Sequence, residues 1–372
     1  MTSKKNAFIP SVAFCIVFVI LLACAPALAA PVAQPPLSDI IKGAKAEGAV
    51  STKLASSMPQ DAVPKLEKLI KDKYGVDLKI TNTPVVVSSK DVSDAVAEQK
   101  AGAPPTYDMM TLPLEMVIRL SAGGGNQKVD WEPLVKAAGI PGGAVLGTPP
   151  QVGRLLGLGL AYYTVHTGLL YNPKFVPAAE VPKTYADLAN PKWKGRIAIG
   201  APPTIYAKSC YFVGTDKVIN DLRAMVKNGI FVDTFANIAN RYKLGEVWIC
   251  LSESNWIAAS QSKETPVEFT LIEQKSGKSF YGSLRVGAKH PNAAKLLLLC
   301  LASEEGSKFM LANAGAGNLL YTGNYENDIE SKARTMKLVD DTESTNDEYL
   351  KFLFSEENRK LVERISLVLK GQ

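Results

Sequence analysis

The sequence has few of the side chains that catalytic and metal sites commonly use. Its 372 residues include two histidines and five cysteines, and it lacks Cys-x-x-Cys, His-Glu-x-x-His, Gly-x-Ser-x-Gly and phosphate-loop motifs. A serine-type catalytic triad requires a histidine held against its nucleophile, whereas His290 precedes Pro291 and His166 lies in an extended stretch. We therefore expect a protein that binds rather than catalyses, with no resident cofactor or metal.

The sequence also lacks a block of basic residues. Its formal net charge is +6, and lysines are interspersed with acidic residues along the chain. Nucleic-acid binding usually requires basic residues concentrated on one face, so we expect no nucleic-acid partner. The small excess of positive charge indicates at most a mild preference for an anionic small ligand.

A long apolar run occurs only at the N-terminus. Lys4 and Lys5 precede an apolar stretch from Ala7 to Leu22, and small residues follow from Ala25 to Ala30. This order is typical of a secretory signal peptide. Pro10 shortens the run to below the roughly 20 apolar residues that a membrane-spanning helix needs. We therefore expect residues 1–29 to be a signal peptide that is cleaved near Ala29, which places the mature protein in the periplasm.

A second processing route stays open in the same stretch. Leu21 to Cys24 resembles a lipobox, in which Cys24 becomes the lipidated first residue. Leu22 is a poor residue for its position in such a motif, and an ordinary cleavage site lies just downstream. The soluble form is therefore favoured over the lipid-anchored form. The proline-rich residues 30–36 are expected to be a disordered tether.

Three cysteines remain after cleavage, and an odd number excludes a complete disulfide framework. Cys300 lies in an apolar helical stretch, where a buried free thiol is expected. Cys210 and Cys250 are candidates for a disulfide in an oxidising compartment, but the sequence does not show how far apart they lie.

Helical and strand patterns alternate along the mature chain. Residues 37–47 and 62–74 have helical apolar spacing, and strands are expected at 49–54 and 76–80. Later patterns predict helices at 92–101, 217–227, 234–243, 292–301, 304–314 and 347–369, strands at 107–110, 196–199, 247–251 and 267–272, and extended crossing segments at 157–163 and 169–171. This alternation predicts an α/β fold with doubly wound sheets. In such sheets ligands bind beyond the carboxyl ends of the strands.

Several segments resemble the type 2 periplasmic binding proteins. The matching segments occur in order between residues 40 and 320: 44–50, 71–76, 97–102 with Tyr107-Asp108, 168–172, 181–197, 288–295 and 302–306. The most specific are Gly168-Leu-Leu-Tyr-Asn172 and Val181-Pro-Lys-Thr-Tyr-Ala-Asp-Leu-Ala-Asn-Pro-Lys-Trp-Lys-Gly-Arg-Ile197. Together they are similar to the extracellular solute-binding proteins of ABC transporters, a family that includes ferric-iron, thiamine, spermidine and phosphonate carriers.

The resemblance implies a two-lobed periplasmic-binding-protein type 2 fold, with each lobe a doubly wound mixed sheet flanked by helices. Lobe one would comprise residues 37–160 plus 284–372, and lobe two residues 161–283. Closure of such lobes about a hinge buries a ligand. The implied function is capture of a small solute by a monomer and its delivery to an ABC transporter permease, with delivery to a sensor as an alternative.

The resemblance places the ligand cleft at the loops that follow strands. The candidate polar contacts are Ser56, Ser57, Thr111, Thr204, Ser252, Glu253 and Asn255, and the candidate aromatic contacts are Tyr162, Tyr163, Tyr206 and Trp256. Each hydroxyl is equally suited to cap a helix, and each aromatic ring is equally suited to pack between the lobes. Glu253 would suit a cationic group, which opposes the preference for an anion.

Ferric iron is the alternative to an organic solute. The resemblance implies that an iron carrier uses a pair of tyrosines, often adjacent, late in the chain. Tyr162 and Tyr163 are adjacent but lie earlier, and residues 249–261, where the pair is expected, contain no tyrosine. We therefore expect an organic solute rather than iron.

Overall fold

The computed structural model describes residues 36–85, 87–147, 153–340 and 347–372. The expected signal peptide, Cys24 and residues 30–35 of the expected tether lie outside the described residues. Within the described part of the chain, no helix is both long enough and apolar enough to cross a bilayer.

The first part of the chain alternates helices and strands as the sequence predicts up to β3, and two further helices, α4 and α5, were not predicted. Helix α1 ends at Gly48 and α2 ends at Gly75, and both glycines adopt the left-handed conformation, with φ values of 64° and 67°. The elements are α1 (Leu37–Glu47), β1 (Ala49–Lys53), α2 (Val63–Tyr74), β2 (Lys79–Asn82), α3 (Ser88–Lys100), β3 (Met109–Pro113), α4 (Leu114–Ala122) and α5 (Glu132–Ala137).

The middle part of the chain begins and ends with a long strand. Its elements are β4 (Leu160–Tyr171), β5 (Ile197–Gly200), α6 (Pro203–Val213), α7 (Thr215–Lys227), β6 (Phe231–Asp233), α8 (Phe235–Lys243), β7 (Ile249–Glu253), α9 (Ile257–Ser260), β8 (Glu268–Thr270) and β9 (Gln274–Leu284). Strand β4 joins the two extended segments that the sequence predicts. Strand β9 was not predicted.

The last part of the chain is mainly helical. It contains α10 (Pro291–Ala302), α11 (Glu304–Ala314), α12 (Tyr325–Ala333), β10 (Val339–Asp340), α13 (Asp347–Leu353) and α14 (Glu356–Leu369). The single helix expected at 347–369 is two helices, because Ser355 caps a new helix by accepting a hydrogen bond from the Asn358 N–H.

Strands β4 and β9 connect two half-sheets. The sheet order is β2-β1-β3-β9-β4-β7-β5-β6, and β4 runs antiparallel to β9 from the pair Leu160–Gly282 to the pair Thr167–Ser276. Strand β3 pairs with the C-terminal end of β9, and β7 pairs with the C-terminal end of β4. The first half-sheet is therefore β2, β1 and β3, and the second is β7, β5 and β6. The strands inside each half-sheet pair in parallel, and each half-sheet joins a crossing strand through an antiparallel pair.

Each half-sheet has its own apolar core. A first cluster surrounds β1 and α10 and includes Ile40, Val50 and Leu297. A second cluster surrounds β5 and α7 and includes Ile199 and Ile219. Burial of two separate apolar faces is what the predicted two-lobed fold requires.

The C-terminal segment packs differently from the lobe division expected from the sequence, which placed residues 284–372 together in lobe one. Helices α10 and α11 do pack in the first cluster. Ile329 of α12, however, contacts Leu271, and Leu361 and Ile365 of α14 lie in the second cluster. The chain therefore returns to the second half-sheet after α11, because α12 and α14 bury their apolar faces there.

The three cysteines of the described chain are free and buried. This confirms the buried thiol expected at Cys300. Cys210 and Cys250 are not paired: Cys210 lies in α6 and Cys250 lies in the central strand β7.

Substitution of Gly282 tests the packing between β9 and α10. A Cβ atom at this position would lie 2.4 Å from Cδ1 of Leu298, which is fully buried. We expect Gly282→Ala to lower the free energy of unfolding by about 1–3 kcal/mol, because a packed core resists an added methyl group. A Cβ at Gly142 meets no atom within 4 Å, so Gly142→Ala should change it by less than about 0.5 kcal/mol. Equal urea midpoints for the two variants would contradict this packing.

Candidate functional site

A recess lies between the two half-sheets, over the crossing strands β4 and β9. Its walls are the N-terminal ends of α4 and α6, the strand residues Thr167, Ser276 and Lys278, and residues of α13 and α14. Among the candidate residues, Thr204 lines this recess at the first turn of α6. A cleft between two packed bodies is a common position for a small-molecule site.

Glu253 lies at the edge of the recess and is paired. Its carboxylate lies 2.6 Å from Nζ of Lys278, and the Glu253 side chain is only 8% exposed. Lys278 also lies 5.1 Å from the centre of the Phe280 ring. Because Lys278 neutralises Glu253, this carboxylate does not give the recess a net negative charge.

Ser57 and Asn255 connect the two half-sheets. Nδ2 of Asn255 donates a hydrogen bond to Oγ of Ser57 over 3.1 Å. Ser57 follows β1 and Asn255 follows β7, so this bond joins the loops that follow strands of different half-sheets. Ser56, beside it, is exposed.

Three of the candidate residues near this contact carry buried polar atoms without a hydrogen-bond partner in the described chain. These atoms are Oγ of Ser252, Oδ1 of Asn255 and Nε1 of Trp256. The three residues are between 1% and 7% exposed. Buried polar atoms are normally hydrogen-bonded, so this group is suited to pair with a bound polar molecule.

Tyr162 and Tyr163 of β4 form a packed group with Thr111 of β3. The hydroxyl groups of Thr111 and Tyr162 lie 2.6 Å apart, and the Ala55 N–H also donates to Tyr162. The Tyr163 ring stacks on Phe280 with 4.6 Å between the ring centres. Tyr162 is fully buried and Tyr163 is 3% exposed. These side chains serve packing between the strands.

The Tyr206 side chain is also buried and hydrogen-bonded within the fold. Its hydroxyl donates a 2.7 Å hydrogen bond to the Gly200 carbonyl, which fixes α6 to the end of β5. Its ring is 3% exposed and lies in the second cluster. The structure therefore separates Tyr206 from Thr204, although the two residues share one helix.

The adjacent tyrosines do not fit a ferric-iron site. Tyr162 is fully buried with its hydroxyl bonded to Thr111, and Tyr163 is buried with its ring stacked on Phe280. Neither tyrosine lines the recess. Among residues 36–85, 87–147, 153–340 and 347–372, no group of three or more His, Cys, Asp or Glu side chains is arranged to hold a metal ion.

A buried charged network at the crossing strands was not predicted from the sequence. Nδ1 of His166 lies 2.5 Å from Oε2 of Glu326, and Nε2 lies 2.9 Å from Oε1 of Glu330. Lys275 of β9 lies 2.9 Å from Glu330. Ser254 accepts from the His166 N–H and donates to Glu326. The network therefore ties α12 to β4, β9 and the end of β7.

The hydrogen bonds of this network determine its charge. Burial lowers the pKa of His166, but the bonds to Glu326 and Glu330 outweigh burial and raise it to about 9. The bond to His166 lowers the pKa of Glu330 to about 2. Burial raises the pKa of Glu326, while His166 opposes that rise. These shifts favour a protonated His166 imidazole paired with an ionised Glu330 at neutral pH.

The only sequence signal for this network is the spacing of Glu326 and Glu330, which places both carboxylates on one face of a helix. Their partner, His166, lies 160 residues away from Glu326. A pattern confined to one helix does not identify a partner at that separation.

We expect the His166 imidazole to stay protonated from pH 6 to pH 8. A histidine whose pKa is raised in the folded state stabilises the protein fully below the unfolded value of about 6.5, and this stabilisation is lost as the pH rises through about 9. Nitrogen-15 NMR of the two histidines, assigned with a His290→Gln variant, measures this directly. A His166 signal that titrates near pH 6.5 would contradict a charged network.

The family model for bacterial extracellular solute-binding proteins matches residues 66–319. No curated protein matches the chain. A substrate-binding protein of an ABC transporter from Agrobacterium tumefaciens is similar in structure, with a TM-score of 0.69 at 17% identity over 89% of this chain and 96% of that chain. The iron-bound HitA of Pseudomonas aeruginosa has a TM-score of 0.57 at 19% identity over 72% of this chain and 85% of that chain.

The IdiA (FutA) protein of Trichodesmium, in complex with iron and citrate, has a TM-score of 0.59 at 18% identity over 86% of this chain and 99% of that chain. The TM-scores of these three structures show a common fold. The family match covers more than half of the chain and includes the second half-sheet, the crossing strands, and strands β2 and β3 of the first half-sheet. The chain belongs to the bacterial extracellular solute-binding proteins and has their two-lobed type 2 periplasmic-binding-protein fold.

Proposed function

We propose that the protein captures a small organic solute between its two lobes and delivers it unchanged to the permease of an ABC transporter. The observation that carries this proposal is the recess over β4 and β9, because its walls include α4, which follows the first half-sheet's β3, and α6, which follows the second half-sheet's β5. A solute bound there contacts both lobes, so its binding energy favours the closed arrangement over an open one.

Two groups of candidate residues support the solute site. Thr204 lines the recess, and Glu253 lies beside it with Lys278. Ser57, Asn255 and Trp256 lie where the loops after β1 and β7 meet. We assign solute contact to Ser56, Ser57, Thr204, Ser252, Asn255 and Trp256, and a structural role to Thr111, Tyr162, Tyr163 and Tyr206.

An organic solute fits these residues better than ferric iron does. HitA and the Trichodesmium protein bind iron, but in this chain the adjacent tyrosines are buried and contact Thr111 and Phe280. The polar atoms of Ser252, Asn255 and Trp256 are neutral hydrogen-bonding groups. Such groups recognise amide, hydroxyl and carbonyl functions rather than a bare cation.

We further propose that the protein acts as a monomer in the periplasm after cleavage of residues 1–29. Family membership supports export. The mature protein should have the mass of a chain that begins at Ala30. Processing that is blocked by globomycin would instead assign the first position to a lipidated Cys24.

We expect the true solute to raise Tm in a thermal-shift screen of carboxylates, amino acids, polyamines, thiamine, phosphonates and ferric salts. A ligand at 100 times its Kd stabilises the native state by about 2.7 kcal/mol, which raises Tm by several degrees.

Asn255→Ala should weaken binding about tenfold, because it removes a hydrogen bond in a buried site. Asn240 is exposed on α8, so Asn240→Ala is the matched control and should bind normally.

Stabilisation by ferric salts alone would contradict the assignment to an organic solute. Turnover of the stabilising compound, followed by mass spectrometry, would contradict release without chemistry.

A further inference from the structure

Helix α13 contacts the side of the first half-sheet. Leu350 is 2% exposed and lies in an apolar cluster with Leu112 of β3 and Leu114 of α4, and Leu353 packs against the same cluster. These two leucines are three residues apart and therefore lie on one face of the helix. That face is buried against the first lobe.

The aromatic residues of α13 contact the second half-sheet instead. The Phe352 and Tyr349 ring centres lie 4.7 Å and 5.3 Å from that of Tyr211 in α6. Tyr349 also lies 5.6 Å from Phe212. Aromatic pairs at these distances attract each other beyond simple burial. Helix α14 then continues into the second cluster, so α13 bridges the two lobes.

Helix α13 also lines the solute recess. Tyr349 and Phe352 line it together with Glu115 of α4 and Thr204 and Lys208 of α6. The recess therefore has aromatic rings from α13 on one side and polar or charged side chains from α4 and α6 on the other. A flat apolar group fits the first side, and a polar group fits the second.

We propose that α13 is part of the solute site, and that Tyr349 and Phe352 form a wall that selects solutes with a ring-bearing apolar part and a polar end. This proposal rests on the proposed solute-binding function and names the class of solute. Helix α13 contacts both lobes. When the lobes open about β4 and β9, α13 must therefore separate either from α6 or from the cluster that contains Leu112 and Leu114. Solute entry is therefore coupled to displacement of α13.

Cys210 provides a probe for this displacement. It is a free thiol of α6, 3% exposed, and it lies beside Phe352 and Ser355. Cys250 and Cys300 are buried in the sheet and in α10. Labelling of the full mature chain with 5,5′-dithiobis(2-nitrobenzoate), followed by peptide mass spectrometry, measures the exposure of Cys210 with the other two thiols as reporters of global unfolding.

We expect Phe352→Ala to speed the labelling of Cys210 at least fivefold and to leave Cys250 and Cys300 unlabelled. Phe354 is 47% exposed, so Phe354→Ala is the matched control on the same segment and should label at the wild-type rate. Equal Cys210 rates in Phe352→Ala and the wild type would overturn the bridging role of α13.

The selectivity is tested with probe pairs that differ in the ring: 3-phenylpropionate against hexanoate, and phenethylamine against hexylamine. We expect the ring-bearing member of at least one pair to bind the wild type and Phe354→Ala at least tenfold more tightly than its aliphatic partner. Phe352→Ala should lose this difference.

Two adverse outcomes have different meanings. If aliphatic and ring-bearing probes bind equally, or if Phe352→Ala keeps the preference, the aromatic wall is refuted while solute binding stands. If none of these probes and no compound of the wider screen stabilises the wild type, the proposed solute-binding function itself fails.

Discussion

Two long antiparallel strands, β4 and β9, carry the continuity of the sheet from one lobe to the other. Each strand pairs with a different neighbour at its C-terminal end, β7 for β4 and β3 for β9. Hydrogen bonds along the strands keep both half-sheets in register. The recess, the contact between Ser57 and Asn255 and the position of α13 all follow from this arrangement, because each of them involves elements from both sides of these strands.

The crossing strands also supply the partners of a buried charged network that would otherwise lower the stability of the fold. Removing a histidine and a carboxylate from water is unfavourable unless every charge has a partner. His166 meets a carboxylate on each side, and Lys275 on the other crossing strand pairs with Glu330. Helix α12 is thereby tied to β4 and β9 at the junction of the lobes, where an apolar contact would fix its position less specifically.

Much of the fold was predictable from local signals. The bounds of α1 follow from its apolar spacing and from Gly48, and α10 and α11 follow from their apolar runs. Strand β9 was missed because lysine, serine and glycine dominate residues 274–284, and its strand conformation comes from pairing on both sides rather than from propensity. Helix α6 was missed because Pro202 and Pro203 indicate a loop, although proline at the first helical turn is favourable.

The site was less predictable than the fold. The rule that ligands bind beyond the carboxyl ends of strands points to Thr204, which lines the recess, and to Ser57 and Asn255, which are hydrogen-bonded to each other. The aromatic candidates Tyr162, Tyr163 and Tyr206 were instead found in the core, because a tyrosine has the same sequence signature in a wall and in a packed interior. The route of the chain after α11 depends on contacts between residues more than a hundred positions apart, which periodicity does not encode.

Small-angle X-ray scattering of the mature protein, with and without a solute found by thermal shift, tests the account most directly. Two lobes that close on a ligand about β4 and β9 should give a smaller radius of gyration and a shorter maximum dimension when the solute is bound. An identical scattering curve in both states would show one rigid body and would contradict capture by closure.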